Sequence, residues 1–228
     1  MTKFYLRVAL AANPPSNGEK STALPVGTAT ASNSGTGFED LSLSTTIGTA
    51  ATNKQLNSTA QTAHQDNYIA RFTSAALAAQ TINADTWTFG YLPSETNNNA
   101  LSATVISLYV WRPGTSSVVG FIFDSDTPIS DTWQEGDEAD LVTFSGASVV
   151  AQAADVLVLE FWRHASQGKA VSYAQILYFD GTTEITANAQ AFVGNTDAAS
   201  AISTPQTLTF DGAAAALRRY SLPVLGVG

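Results

Sequence analysis

The densest set of reactive side chains in this 228-residue sequence is the run from Asp124 to Asp140. There Asp124, Asp126, Asp131, Glu135, Asp137, Glu138 and Asp140 place seven carboxylates within seventeen residues. Carboxylates so close together, with serine hydroxyls among them, suit Ca²⁺, which takes roughly six to eight hard oxygen ligands. Asp124, Asp126 and Asp131 would open such a site. The Asp-x-Asp start lacks the glycine and the closing glutamate at the offsets of a helix-flanked calcium loop. A solvated acidic loop between strands is therefore the plainer reading, and no cofactor is expected. Glycoside hydrolysis also uses paired carboxylates, but it needs two facing each other across a cleft. Neighbours on one loop do not supply that arrangement.

Other reaction chemistry finds little to build on. The two histidines, His64 and His164, sit in no metal-ligand spacing. Serines abound, yet no Gly-x-Ser-x-Gly elbow presents one as a nucleophile. A phosphate-cradling glycine loop, a His-Glu-x-x-His helix and a basic aromatic stripe are all missing from the sequence. The chain is therefore expected not to be an enzyme. With no cysteine, neither a disulfide framework nor a thiolate site can form.

The aromatic residues offer binding chemistry instead. Tyr109 and Trp111 fall on one strand pattern, Trp133 in the acidic loop, and Trp162 beside Glu160. Flat rings on a sheet stack on sugars or anchor protein interfaces. Alternatively they fill the second face of a covered sheet. A glycan is thus one conceivable partner.

These side chains must be positioned by strands. Residues 3–11 alternate as a first strand, and Asn13, Pro14, Pro15, Asn17 and Gly18 stop it. Between residues 12 and 66 the chain is dominated by Thr, Ser, Ala, Asn and Gly, and reads as an extended polar arm that needs a surface to lie on. From residue 67 large residues recur at every second position. Trp87, Phe89 and Tyr91 share one face, which is expected to be core. In the run 101–111, Ile106, Leu108 and Val110 oppose Val105, Ser107, Tyr109 and Trp111. Arg112-Pro113-Gly114 then turns the chain into a hairpin partner over 117–123. Residues 155–164 and 170–179 read as a second hairpin, with Leu157, Leu159 and Phe161 opposing Val158, Glu160 and Trp162. Residues 206–210 read as a last strand. Helical patterning is confined to Leu77–Gln80 and Ala213–Arg219, one or two turns at most.

Short strands with turn residues between them predict an all-β fold, an antiparallel β-sandwich or jelly roll. The organisation expected is a first strand plus polar arm over 1–66, a sandwich body over 67–212, and an apolar C-terminal tail over 213–228. That tail carries Leu222, Val224 and Leu225 as candidate contact residues. Charged residues are only 13% of the chain, about half the ordinary share. A surface of small neutral side chains is easily stripped of water, which suits contact between subunits. The net charge of −9 opposes binding to a phosphate backbone, so nucleic acid is not expected as a partner. No apolar run reaches transmembrane length, so no membrane partner is expected either. The opening MTKFYLRVALAANPP is interrupted by Arg7 and fits a strand better than a signal peptide, and export by the general secretory route is not expected.

The stretch from Asp155 to Thr183, DVLVLEFWRHASQGKAVSYAQILYFDGTT, together with Phe4-Tyr-Leu-Arg and Leu77-Ala-Ala-Gln-Thr-Ile, resembles β-rich structural proteins of tailed bacteriophages. Within that class, an acidic, cysteine-free sandwich with a polar arm is similar to capsid decoration or cement proteins. The resemblance implies a virion protein on the outer capsid surface, with the major capsid protein and further copies of itself, as dimers or trimers, for partners. It transfers no functional residue. Fibres and baseplates of such phages hold similar sandwiches, which keeps a tail protein or a carbohydrate-binding receptor module as alternatives.

Overall fold

The computed structural model of the protein describes residues 1–10, 41–49, 54–57, 66–95, 102–125, 129, 138–165, 175–192 and 197–211. Among them there is no helix. The strands of the first half are β1 (Thr2–Leu10), β2 (Leu41–Ser44), β3 (Lys54–Asn57), β4 (Asp66–Ser74), β5 (Gln80–Ile82), β6 (Thr86–Glu95), β7 (Ser102–Arg112) and β8 (Ser117–Asp124). They are followed by β9 (Glu138–Ser145), β10 (Val149–Ala151), β11 (Val156–Ala165), β12 (Gln175–Phe179), β13 (Thr183–Glu184), β14 (Gln190–Ala191), β15 (Ala198–Ala199) and β16 (Ala201–Thr204). One large sheet runs in the order β14-β9-β6-β16-β1-β2-β4-β11-β7-β8, and β12 joins it between β6 and β3. The all-β sandwich or jelly roll expected from the alternation is the fold observed.

Period-two patterning explains how the sheet closes on itself. Phe4 and Leu6 of β1, Trp87, Phe89 and Tyr91 of β6, and Leu157, Leu159 and Phe161 of β11 all point into one core. Ile106, Leu108 and Val110 of β7 complete it. The Phe161 ring meets Phe89 and Tyr91 edge-on at 6.1 and 5.6 Å between centroids, and Phe72 meets Phe179 at 5.4 Å. These contacts join the layer built on β6 to the layer built on β11. Each such side chain contributes about 1.5–3 kcal/mol by leaving water. Gly146 is required by this packing, since a Cβ there would stand 2.7 Å from the Trp87 indole and 2.9 Å from Ile122.

The β7–β8 hairpin turns where expected, at residues 113–116, with Ser116 at φ 51°. Several elements differ from expectation. Residues 155–179 are not a hairpin. Both edges of β11 are taken, by β4 and β7, while β12 pairs β3 and β6 in the other layer. Turn residues and alternation mark strands without choosing their neighbours. The polar stretch enters the body twice, as β2 and β3, because Leu41 and Leu43 alternate with Ser42 and Ser44 and bury beside β1. β2 runs parallel to β4, and β13 parallel to β15, within an otherwise antiparallel scheme. The last paired strand of the large sheet is β16, earlier than expected; Pro205, which lacks an N–H, follows it, and Phe210 makes only a bridge to Leu77. Leu77 and Gln80 thus belong to extended chain, not to a helical turn.

β1 lies inside the sheet, paired with β16 from Thr2↔Thr204 to Tyr5↔Ala201 and with β2 on its other side. The Leu208 N–H donates to Thr2 Oγ1 at 2.7 Å, and the Met1 amine to Thr207 Oγ1 at 3.0 Å. Among the described residues no helix is long and apolar enough to cross a membrane.

Candidate functional site

Sequence reasoning offered Tyr109, Trp111 and Trp162 as exposed aromatic candidates. They stand on the strand sides opposite Ile106, Leu108 and Val110 and opposite Leu157, Leu159 and Phe161, which in the structure are the sides away from the main core. All three are nonetheless buried, Tyr109 at 0%, Trp111 at 2% and Trp162 at 3% exposure. In the layer β4-β11-β7-β8 the strands β4, β11 and β7 are covered on both faces where described, while β8 at the edge is mostly half-buried. On the outer face of this layer Tyr109, Trp111, Val156 and Val158 form a second apolar cluster, joined by Val118 and Phe121, with Tyr109 edge-on to Phe121 at 5.5 Å. The rings fill this face and, as they stand, present no surface for a sugar to stack on.

A polar row crosses the same face. Register aligns Arg71 of β4, Glu160 of β11, Ser107 of β7 and Asp124 of β8 on four neighbouring strands. Arg71, Glu160 and Ser107 are buried. The Tyr109 hydroxyl donates to Glu160 Oε1 at 2.9 Å, and Ser107 Oγ donates to Asp124 Oδ1. A hydrogen bond to a buried carboxylate is among the stronger ones a protein makes. Its chemical effect is to fix strand register, because a slip of one residue would turn Arg71 and Glu160 into the aromatic core. At the end of the layer Arg112 grips Asp155 with two parallel bonds of 2.8 Å, and the Gln152 N–H donates to the same carboxylate at 2.8 Å.

The opposite outer face carries a second charged arrangement. Lys3, Tyr5 and Arg7 project at every second position of β1. Lys3 Nζ lies 2.9 Å from Glu184 Oε2, the Tyr5 hydroxyl donates to Glu184 Oε1, and Arg7 pairs with Asp180. Arg7 Nη1 also donates to the carbonyls of Thr46 and Ile47 at 2.9 Å each. Burial, then the hydrogen bond and charge of Glu184, push the Tyr5 phenol up to about 12. Lys3 first, and Tyr5 second, hold the Glu184 carboxyl below its ordinary value. Thr182 and Thr183 do the same to Asp197 through hydrogen bonds.

Of the three residues considered for a cation, Asp124 is engaged with Ser107, while Asp126 and Asp131 lie outside the described residues. Among the described residues no group of three or more histidines and carboxylates is gathered to hold a metal ion. Trp133, Leu222, Val224 and Leu225, and the tail 213–228, also lie outside the described residues. Sequence reasoning missed Arg71 and the carboxylate contacts of β1. Their signal was present as charged residues at the outward positions of otherwise apolar strands.

No known protein family matches the chain, and no curated protein is similar to it. Solved structures share parts of its shape. A CocE/NonD family hydrolase from Staphylococcus aureus is 8% identical at a TM-score of 0.39, over 74% of this chain and 34% of that one. The structure of the Gx strain of infectious bursal disease virus is 11% identical at 0.31, over 67% and 33%. The VP2 subviral particle of that virus is 13% identical at 0.29, over 78% and 43%. The chain thus spans a third to less than half of the solved chains it matches. The expectation that the chain is not an enzyme has to be withdrawn, because a hydrolase stands among the matches beside the virus particle proteins. At these TM-scores the likenesses assign no activity.

Proposed function

We propose that the chain is a virion structural protein, a decoration or cement protein that binds the outer capsid surface and, with further copies of itself, holds neighbouring capsomers of the major capsid protein together. The observation that carries this reading is the layer in which β4, β11 and β7 are buried on both faces, with its aromatic rings and the row Arg71, Glu160 and Ser107 turned into packing. Such a layer is a stiff plate. The low content of charge supports broad contact with other protein surfaces, and the net charge of −9 supports a place away from packaged nucleic acid. Residues 11–40 and the apolar 213–228 are the segments proposed to make those contacts.

The test uses purified protein and shells assembled without it. Co-sedimentation followed by electron microscopy should find the chain at symmetric positions on the shell surface, and decorated shells should disassemble at a higher temperature than bare ones. Leu10 and Leu41 pair in register, so residues 11–40 can be replaced by a short turn without separating β1 from β2. That variant should keep the wild-type far-ultraviolet circular dichroism and lose shell binding. Full binding by the variant would remove the segment from the proposal. Failure of the intact chain to bind any shell would refute the proposal itself.

A further inference from the structure

The residues that follow β12 cross the outer face of the layer built on β6, and their attachment there is unlike that of the rest of the body. Asp180, at φ 67°, turns the chain out of β12. Ile185 then lies over Gly90 of β6, so close that a Cβ on that glycine would stand 3.1 Å from it. β14 pairs Gln190 and Ala191 with Ala139 and Glu138 of β9. Beneath this crossing sits a small apolar cluster of Leu92, Ala139, Ile185, Phe192 and Ala198, with Leu141 and Tyr178 against it, separate from the main core. Two short strand pairings and this cluster are modest anchors. The Gly181 N–H donates to the Ala198 carbonyl at 3.0 Å, the Ala189 N–H to the Ala139 carbonyl at 2.8 Å and the Leu141 N–H to Asn188 Oδ1 at 3.2 Å. The fastenings to β1 are carboxylates, Asp180 on Arg7 and Glu184 on Lys3 and Tyr5, while Asp197 ties the returning chain to Thr182 and Thr183.

We propose that residues 180–192 are an acid-released strap, latched to β1 by Asp180 and Glu184 and able to lift from the sheet while both layers of the sandwich stay folded. The titratable and charged groups facing the latch are Lys3, Tyr5 and Arg7 from β1, Tyr178 from β12, and Asp197 from the returning chain. On β9, Glu138 is exposed and Asp140 accepts from the Tyr91 hydroxyl at 2.9 Å. β6 meets the strap with Gly90 and Leu92, which do not titrate. Glu184 is held below its ordinary value, so its contribution is complete above the ordinary carboxylate range and is lost as pH falls through the lowered value. Asp197 follows the same sign. Tyr5 is raised, so its contribution is complete below 10 and is lost as pH climbs through about 12. The latch is therefore closed across neutral pH and opens on the acid side first. Local opening of this kind uncovers the apolar cluster at a cost below that of global unfolding.

Hydrogen exchange read by mass spectrometry on the full chain tests the strap, with peptides of β7 and β11 as internal references. After correction for intrinsic rates, strap amides should exchange about tenfold faster relative to those references at pH 3.5 than at pH 7. Glu184→Gln should exchange several-fold faster in the strap already at pH 7 and show a smaller further response to acid than the wild type, the remainder coming from Asp197. Strap protection that follows β7 and β11 at both pH values overturns the proposal, and so does an acid response undiminished in Glu184→Gln. The wild-type phenol provides a second reading that needs no variant. Ultraviolet titration should show one tyrosine ionising near 12, and its absence would mean that Tyr5 and Glu184 are not latched.

Discussion

Phe161 is one of the rings through which the two layers of the sandwich are joined, and replacing it with alanine should be among the most damaging single truncations in the core. The ring is fully buried and lies edge-on to Phe89 and Tyr91, which are themselves stacked at 4.7 Å and 17°. Removing a buried phenylalanine typically costs about 3–5 kcal/mol, with the larger figure where the surroundings cannot collapse into the space. Here they cannot. Phe89 and Tyr91 are fixed by each other and by a strand paired on both edges, and each loses an edge contact of about 0.5–1.5 kcal/mol. Phe161→Ala should therefore lose about 4–5 kcal/mol, a drop of roughly 10–20 °C in Tm for a body of this size. Phe161→Leu, which keeps most of the volume, should lose about 1–1.5 kcal/mol. Urea unfolding followed by tryptophan fluorescence measures both, with an unchanged slope showing that the same surface is exposed. A loss below about 1 kcal/mol for Phe161→Ala would refute the claim that the layers meet through this ring.

Gly146→Ala should cost about 1–3 kcal/mol by overpacking against Trp87, and the shift should appear in the emission of that buried indole as well as in the urea midpoint. Tyr109→Phe removes one hydroxyl that donates to a buried carboxylate and should cost about 1.5–3 kcal/mol. In a double-mutant cycle with Glu160→Gln most of that cost should appear as coupling energy. Additive single effects would show that the pair does not interact.

The parts of the fold that could be read from the sequence were those where one face of a strand is apolar and large. Trp87, Phe89 and Tyr91, or Leu157, Leu159 and Phe161, announce their shared face by spacing alone, and the structure places them together. Pairing was far less legible. Nothing in residues 155–179 tells that β12 leaves β11 for the other layer, because hydrogen-bond partners of a strand are chosen by the whole sheet. Short strands of small residues were hidden for a related reason. Ala198–Ala199 and Ala201–Thr204 bury little surface each and are held by neighbours distant in sequence. At the outer face the spacing put Tyr109 and Trp111 on one side of their strand and Trp162 on one side of its own, while leaving open which side faces the core and whether the other is covered. Glu160 was the informative residue, since a carboxylate inside a strand of Val, Leu, Phe and Trp implies partners on that side.

The pairing of β1 with β16 also bears on how the protein is made. β1 can pair with β2 early, but its other edge is filled only when residues 201–208 are available to pair with it. At ordinary rates of synthesis, about 5–20 residues per second, β1 waits on the order of 10–40 s for that neighbour. Contacts of such long range close slowly and late. The sheet therefore closes only once residues 201–208 have been made, and the finished surface of the described body becomes available to any partner only after that point.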